Sequence, residues 1–568
     1  MRKILWLDIN SSYSHTSVAL PAIEAQMDSE AMGWEWCVVR GTINDSPGVI
    51  AAAVAECRPD VIAATFWLFN HRMQIEVLSR AVQLLDGVKV VCGGPEFLGC
   101  NHNFLKINPF VTAVVRGEGE RALPEFLAVI DTPAAWNGVG GLCWISDEDQ
   151  NYYDNGVARV ADFEALKFPE QSKFFNWEKP FVQLETTRGC FNTCAFCVSG
   201  GEKPVRYQSL EQVASRLEDI CNKGIKDVRV LDRTFNYDTR RACQMLDLFA
   251  MYQGRMRFHL EIHPSLMSQE LKDKIASLPV GLLHLEAGIQ SLDEVVLNEC
   301  GRKGNLKSSL EGLRYLAGLE NVETHADLIA GLPLYKLDML CRDVVTLVEM
   351  GVDELQIESL KLLPGTRMRE MALEKGLRYS PLPPYEVMAT PAMTASDLRF
   401  AMNISRMIDF YYNASAWQGV IRKLIVERDG FLSDFTGYLK RIGVLDSPLS
   451  LERRGVILYE YVLEYCPEMV ADISLAWIEG GFSLKKSPAG EVVKVKDIRG
   501  YLSGKESCMS VVYGEVNEAY RYYLYTVPSF CGVASDCSVG ARSVIFGFCE
   551  EGVLKRPVVR VDFSDLIF

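Results

Sequence analysis

No apolar run in this sequence is long enough to cross a bilayer. The opening segment Met1-Arg2-Lys3-Ile4-Leu5-Trp6 is broken by Asp8, too early for the apolar core of a signal peptide. Positive charge is also scarce, with 59 Lys and Arg against 74 Asp and Glu, a net charge of −15. That deficit argues against broad binding to nucleic acid or anionic membranes. A cytoplasmic location is the expectation. Histidine is sparse at 7 residues, and no internal repeat or low-complexity tract occurs. Cysteine is plentiful at 17. In a cytoplasmic chain these read as buried small hydrophobes plus a few metal ligands, not as a disulfide frame. At 568 residues, with 48% hydrophobic and 23% charged, the chain is a folded protein of two to four domains.

From residue 1 to about 165, short apolar runs alternate with helical patterns. Runs at 3–7, 60–65, 88–92 and 111–115 are bare of charge after their first residues, and helical spacing falls between them. Continuous apolar strands alternating with helices predict a parallel, doubly wound Rossmann-like sheet covered on both faces. In such sheets ligands bind outside the carboxyl ends of the strands. Those ends carry Asn10, Ser11, Thr65, Phe66, Gly93, Gly94, Arg116, Gly117, Glu118 and Gly119. The glycines either admit a ligand to the backbone or simply make tight turns. No GxGxxG fingerprint follows the first strand, which disfavours a dinucleotide.

The chemistry concentrates further along. An apolar strand at 181–186 is followed by Arg188-Gly189-Cys190-Phe191-Asn192-Thr193-Cys194-Ala195-Phe196-Cys197. Three thiolates at this spacing on one loop can grip three irons of a cubane cluster and leave the fourth iron open; the alternatives are a zinc site or chance cysteines. Zinc would want a fourth ligand at close spacing. The next cysteine is Cys221, inside a helical pattern, and no histidine lies between it and Cys197.

This loop, with an aromatic residue before its last cysteine, resembles that of the radical S-adenosylmethionine (SAM) superfamily. Strand candidates at 181–186, 228–232, 257–262, 282–288, 324–330 and 355–362 are similar to the superfamily's partial (β/α)6 barrel. The stretches "RPDVIAATF", "VKVVCGGPE" and "VVRGEGE" resemble the cobalamin-binding domain that precedes this barrel in one class of the superfamily. The closest resemblance is to a subgroup whose C-terminal domain has no assigned function. The implied domains are 1–165 (cobalamin-binding-like), 175–395 (radical SAM barrel) and 396–568 (helical, then α+β). Linkers are expected near 168–177 and 379–391.

The resemblance implies roles for particular residues. Cys190, Cys194 and Cys197 would hold a 4Fe-4S cluster, and SAM would chelate its open iron. Phe196 would lie by the adenine, with Asp232, Glu261, Gln290, Ser291 and Leu363 around the rest of SAM. The superfamily's Gly-Gly-Glu is replaced here by Asp232-Arg233-Thr234. Cobalamin would occupy the strand ends named above. Asp8, Asn10 and Tyr13 stand where cobalamin mutases have Asp-x-His-x-x-Gly, and His15 is out of register, so a His-off cobalt is implied. A domain that has become a scaffold is the alternative reading. The implied activity is reductive cleavage of SAM with cobalamin-dependent methylation of an unactivated carbon. The alternatives are a non-methylating radical reaction (cyclisation, rearrangement or bond formation) and a non-catalytic cobalamin or redox sensor. A low-potential electron donor, flavodoxin or ferredoxin, and a strongly reducing cytoplasm are implied as well.

Outside these motifs, His259, Glu261 and His263 share one face of a strand by their i, i+2, i+4 spacing. From 396 to about 479 helical patterns dominate, and after Ala489 short strands follow at 492–495, 510–513, 520–526 and 543–548. Tyr520, Tyr522, Tyr523 and Tyr525 form either a stacking platform or an ordinary aromatic strand. Cys508, Cys531, Cys537 and Cys549 are spaced too loosely for a clear auxiliary cluster.

Overall fold

The computed structural model describes residues 1–12, 17–28, 32–488, 491–503, 505, 509–517, 520–530, 539–549 and 556–563. Tyr13 and His15 therefore lie outside the described residues, as do Cys508, Cys531 and Cys537. The chain packs as two units, Met1–Leu340 with Glu358–Leu398, and Cys341–Ile357 with Arg399–Phe568. The Rossmann-like region and the barrel residues up to 340 fall in the first unit, whereas 341–357, inside the span 175–395 expected for the barrel, fall in the second. The residues at 379–391, expected to be a linker, include the hairpin strands Arg378–Tyr379 and Val387–Ala389 of the first unit.

Seven strands make the first sheet: β1 (Arg2–Asn10), β2 (Trp34–Thr42), β3 (Val61–Thr65), β4 (Lys89–Gly93), β5 (Ala113–Val115), β6 (Leu142–Ile145) and β7 (Tyr152–Asp154). Their order is β2-β1-β3-β4-β5-β6-β7. The first five pair in parallel, and β6 and β7 add an antiparallel edge. Alternation along β1 explains the two-sided core. Ile4 and Trp6 pack on one face with Trp34, Phe126 and Trp136. Leu5, Leu7 and Ile9 pack on the other with Phe66, Val77 and Phe97. Helices α1 (Ala19–Glu24), α2 (Pro47–Glu56), α3 (His71–Ala81), α4 (His102–Ile107) and α5 (Gly119–Val129) connect the strands. Three strands were not expected from sequence. Exposed Glu35 and Arg40 interrupt the apolar pattern of β2, as befits an edge strand, and β6 and β7 are only four and three residues long.

The second sheet uses β8 (Phe181–Leu184), β11 (Asp227–Val230), β12 (Arg257–Ile262), β13 (Leu283–Gln290), β14 (Val322–Ala330) and β15 (Glu354–Ser359), in the order β15-β14-β13-β12-β11-β8. Every pairing from β8 to β14 is parallel. Between β8 and β11 a small ribbon, β9 (Thr187–Arg188) with β10 (Arg206–Tyr207), brackets the cysteine loop. Helices α6 (Leu210–Asn222), α7 (Thr239–Ala250), α8 (Gln269–Ala276), α9 (Glu294–Glu299) and α10 (Leu306–Ala317) follow the strands. Each begins with a side-chain cap on its first-turn amides, from Ser209, Asp238, Ser268, Asp293 and Asn305 in turn. These caps fix where each strand-to-helix loop ends.

The second unit carries helices around a core that includes Trp417, Tyr461 and Trp477, followed by a five-stranded sheet. Tyr522 and Tyr525 are buried in it, which favours the ordinary aromatic strand over a platform. Cys549 is exposed.

Gly94, one of the expected ligand glycines, has φ 105° and ψ −179°, a region open to glycine alone. A Cβ there would fall 2.6 Å from the Phe66 carbonyl oxygen and 2.9 Å from Thr65 Cγ2. Gly94 thus serves the packing of β3 against β4 whatever the strand ends bind. Gly94→Ala should cost about 2–3 kcal/mol. Gly33→Ala, at φ 73° in open space, should cost only about 1 kcal/mol. Thermal melts of the two variants should therefore separate clearly, and equal melting points would refute this packing role.

Candidate functional site

Cys190, Cys194 and Cys197 sit on the loop leaving β9, and that loop makes no regular ladder of its own. Its backbone is tied down by other segments. Cys190 N donates to Glu202 O at 2.9 Å, and Ala195 N donates to Cys300 O at 2.7 Å. The Asn192 side chain accepts from Lys303 N at 2.8 Å and donates to Lys303 O at 2.9 Å. Thr193 Oγ1 donates to Gly301 O at 2.8 Å. From the far side, Met368 N donates to Ala195 O at 2.8 Å, and Arg367 donates to Thr193 O. The thiols themselves remain available. Cys190 Sγ lies 3.7 Å from Thr234 Oγ1, and Arg302 Nη1 donates to Cys194 Sγ at 3.5 Å. Burial pushes the Cys194 and Cys197 thiols up, opposed by the charges of Arg302 and Arg233 respectively. Cys300, which sequence reasoning passed over, is fully buried behind the loop.

Three of the sequence-expected SAM segments converge on this loop. The segment Asp232-Arg233-Thr234 reaches Cys190 through Thr234. The strand end Gly288-Ile289-Gln290-Ser291 reaches Cys194 through Arg302, which also donates to Gly288 O. The segment after Leu363 meets it through Arg367 and Met368. Phe196 and Leu363 are half-buried, Ser291 is fully buried, and Gln290 holds a positive φ of 72°. Asp232 departs from the expected ligand role. It is buried, and its carboxylate accepts from Thr186 N and Thr187 N at 2.8 Å each and from Thr186 Oγ1 at 2.5 Å. It fastens the stem of the cysteine loop to the next strand.

A cavity of about 590 Å³ opens at the carboxyl ends of β1, β3, β4 and β5. Asn10, Ser11, Thr65, Gly93, Gly94, Gly117, Glu118 and Gly119 line it, as expected. Two expected residues do not. Phe66 is wholly buried in the core, edge-on to Phe97 at 5.2 Å. Arg116 turns away, donating to Leu98 O at 2.9 Å and to Asp154 at 3.0 Å. Trp67 and Phe69 stack at 6.5 Å and join the lining, and no histidine does so among the described residues. The same cavity reaches Thr187, Arg188 and Gly189, so its wall runs to the residue before Cys190.

The barrel interior is charged. His259 Nε2 lies 2.8 Å from Glu286, His325 Nε2 lies 3.2 Å from Asp327, and Arg233 lies 3.8 Å from Glu261. Burial pushes the Glu261 carboxyl up to about 7, helped by Glu286 and Asp327 and opposed by Arg233. His263 does not join His259 and Glu261 on their face. It follows the strand's end, bonds to Ser265 at 2.8 Å and packs edge-on to Phe191 at 5.6 Å.

The chain matches known families in three places: residues 7–127 match the B12 binding domain, 184–342 the radical SAM superfamily, and 374–476 a family described as a protein of unknown function (DUF4080). The cobalamin-dependent radical SAM methyltransferase TokK of Streptomyces tokunonensis is 23% identical over 382 residues, covering 61% of this chain and 54% of TokK. The chain therefore spans about half the length of that relative. Among solved structures, OxsB, a cobalamin-dependent SAM radical enzyme with aqua-cobalamin and SAM bound, aligns at TM-score 0.59 and 14% identity, covering 86% of this chain and 82% of OxsB. The methyltransferase TsrM of Kitasatospora setae, with cobalamin and a [4Fe-4S] cluster bound, aligns at 0.52 and 17%, covering 67% and 76%. The residues present fit both groups. Three thiols on one loop, with a guanidinium beside one of them, suit an iron–sulfur cluster with an open iron. The strand-end cavity suits a large flat cofactor without a histidine ligand.

Because Glu261 binds its proton more tightly folded than unfolded, its stabilising contribution is full below the ordinary carboxylate value of 4.5 and is lost as pH rises through about 7. Melting points measured from roughly pH 5 to pH 8 should decline less steeply in Glu261→Gln than in the parent. An unchanged slope would mean that Arg233 keeps Glu261 ionised throughout.

Proposed function

We propose that this chain, which joins a B12-binding domain to a radical SAM domain, is an enzyme that cleaves SAM reductively and methylates an unactivated carbon by way of cobalamin. The observation that carries this reading is the shared wall. The large strand-end cavity and the three-thiol loop meet at Thr187, Arg188 and Gly189 within one packed unit. When bound, a cluster on these thiols would supply the electron for reductive cleavage of SAM, and cobalamin would carry the methyl group.

The chain's own residues would bind, orient and shield. Cys190, Cys194 and Cys197 hold the cluster. Arg302 supports Cys194 as thiolate while gripping the β13 strand end. Phe196, Gln290, Ser291 and Leu363 surround SAM, and the inward charges of β12 to β14 face the substrate. Asn10, Ser11, Thr65 and the glycines of β4 and β5 receive the corrin. A low-potential donor, flavodoxin or ferredoxin, delivers the electron.

Anaerobic reconstitution should load about four irons per chain, and replacing Cys190, Cys194 and Cys197 together by Ala should remove them. Supplied with cobalamin, SAM and a strong reductant, the holoenzyme should release both deoxyadenosine and S-adenosylhomocysteine. Deoxyadenosine without any S-adenosylhomocysteine would leave a non-methylating radical enzyme. A loaded cluster that never cleaves SAM would end the enzymatic reading.

A further inference from the structure

Between the strand-end cavity and the cysteine loop lies a half-buried ion network. Arg188 is its centre, separated from Cys190 by Gly189 alone. Its guanidinium donates to Glu120 at 2.5 Å and to both carboxylate oxygens of Glu185 at 2.9 and 3.0 Å, and stands 3.4 Å from Glu118. The Phe163 ring covers it, 4.6 Å from the guanidinium carbon. Glu118 in turn accepts two bonds from Arg206, at 2.6 and 3.0 Å, and one from Val160 N at 2.7 Å. Arg206 stands opposite Arg188 in the β9–β10 ribbon and also pairs with Glu202, whose carbonyl accepts from Cys190 N. Glu118 and Glu120 are the cap and first-turn residues of α5, on the rim of the Rossmann sheet.

Both walls of the gap therefore meet in one set of fork-shaped contacts. A cation could be held there by a single carboxylate; this one is held by three, two at the start of α5 and one just past the end of β8. Arginine suits such a place because its planar donors fix direction as well as distance. We infer that Arg188 is a positioning residue, setting the separation between the cluster held by Cys190 and the ligand in the strand-end cavity. The inference rests on the function proposed above. It assigns Glu118, which also lines the cavity, a fastening role.

The two SAM-derived products read out this separation. Release of S-adenosylhomocysteine would require the SAM methyl group to pass to reduced cobalamin in the cavity, and so would need SAM and the cavity ligand in register. Deoxyadenosine needs only the cluster and SAM. Arg188→Met, Arg188→Lys and Glu120→Gln should be reconstituted with iron, then given hydroxocobalamin, titanium(III) citrate and SAM. Iron and cobalamin contents are measured alongside. The ratio of S-adenosylhomocysteine to deoxyadenosine should fall about ten- to hundred-fold in Arg188→Met, as a misplacement near 1 Å would cause, and less in Arg188→Lys and Glu120→Gln. Arg2→Met, which removes a surface pair with Asp131, should leave the ratio unchanged. A ratio equal to the parent's in all three variants, or both products falling together, overturns the inference. Should Arg188→Met fail to fold, Arg188→Lys and Glu120→Gln decide the matter. A parent protein that takes up no cobalamin would instead overturn the proposed function itself.

Discussion

The cysteine loop carries three thiols on backbone that is neither helix nor strand, so it has no ladder of its own to satisfy its amides. Its backbone groups pair partly within the loop's own turns and must otherwise find partners further along the chain, because buried unpaired amides are costly. They find them in the segment 300–303, in Glu202, and in Met368 and Arg367. Those segments follow β13, β9 and β15 respectively. The loop's geometry is thereby a property of the whole sheet, and the order of strands around it is what holds the thiols ready.

This explains what could be read from the sequence and what could not. The cysteine spacing, the apolar strands and the glycine turns are local signals, each complete within about ten residues. Arg302 carries no such signal. It lies 108 residues from Cys194, in a Cys-Gly-Arg-Lys-Gly stretch that reads as an ordinary turn. Phe66 and Arg116 show the reverse error. Both stand at strand ends, where the doubly wound architecture places ligands, yet one faces the core and the other faces β7. Strand-end position locates a residue along the sheet but leaves its side undecided when the strand stops.

The Rossmann sheet also shows why its glycines were ambiguous. The order β2-β1-β3-β4-β5 has its switch point between β1 and β3, and the cavity opens there. Gly93 faces it with ordinary clearance, the nearest atom to an added Cβ being 3.6 Å away. Gly94 and Gly117 are instead constrained by Phe66 and Ala158 backbone oxygens, at 2.6 and 2.4 Å from an added Cβ. Gly93 leaves room in the cavity wall, and Gly94 and Gly117 let the chain turn tightly enough to make that room.

The ion network around Arg188 adds little net stability to what its surroundings already provide. Glu118 and Glu120 already sit at a helix N-terminus, which favours their charge before any arginine arrives. Burial pushes the Glu118 carboxyl up, and Arg206, Arg188 and the Val160 amide together pull it below its usual range. Replacing a buried ion set by well-packed apolar groups is often neutral, whereas removing one member costs about 3–5 kcal/mol. Net stability is thus a weak reason for the network. Direction is a stronger one, since an apolar contact would hold β9 against α5 while allowing it to slide. The forked bonds of Arg188 and Arg206 do not allow that, and the residue they immobilise is the one that leads into Cys190.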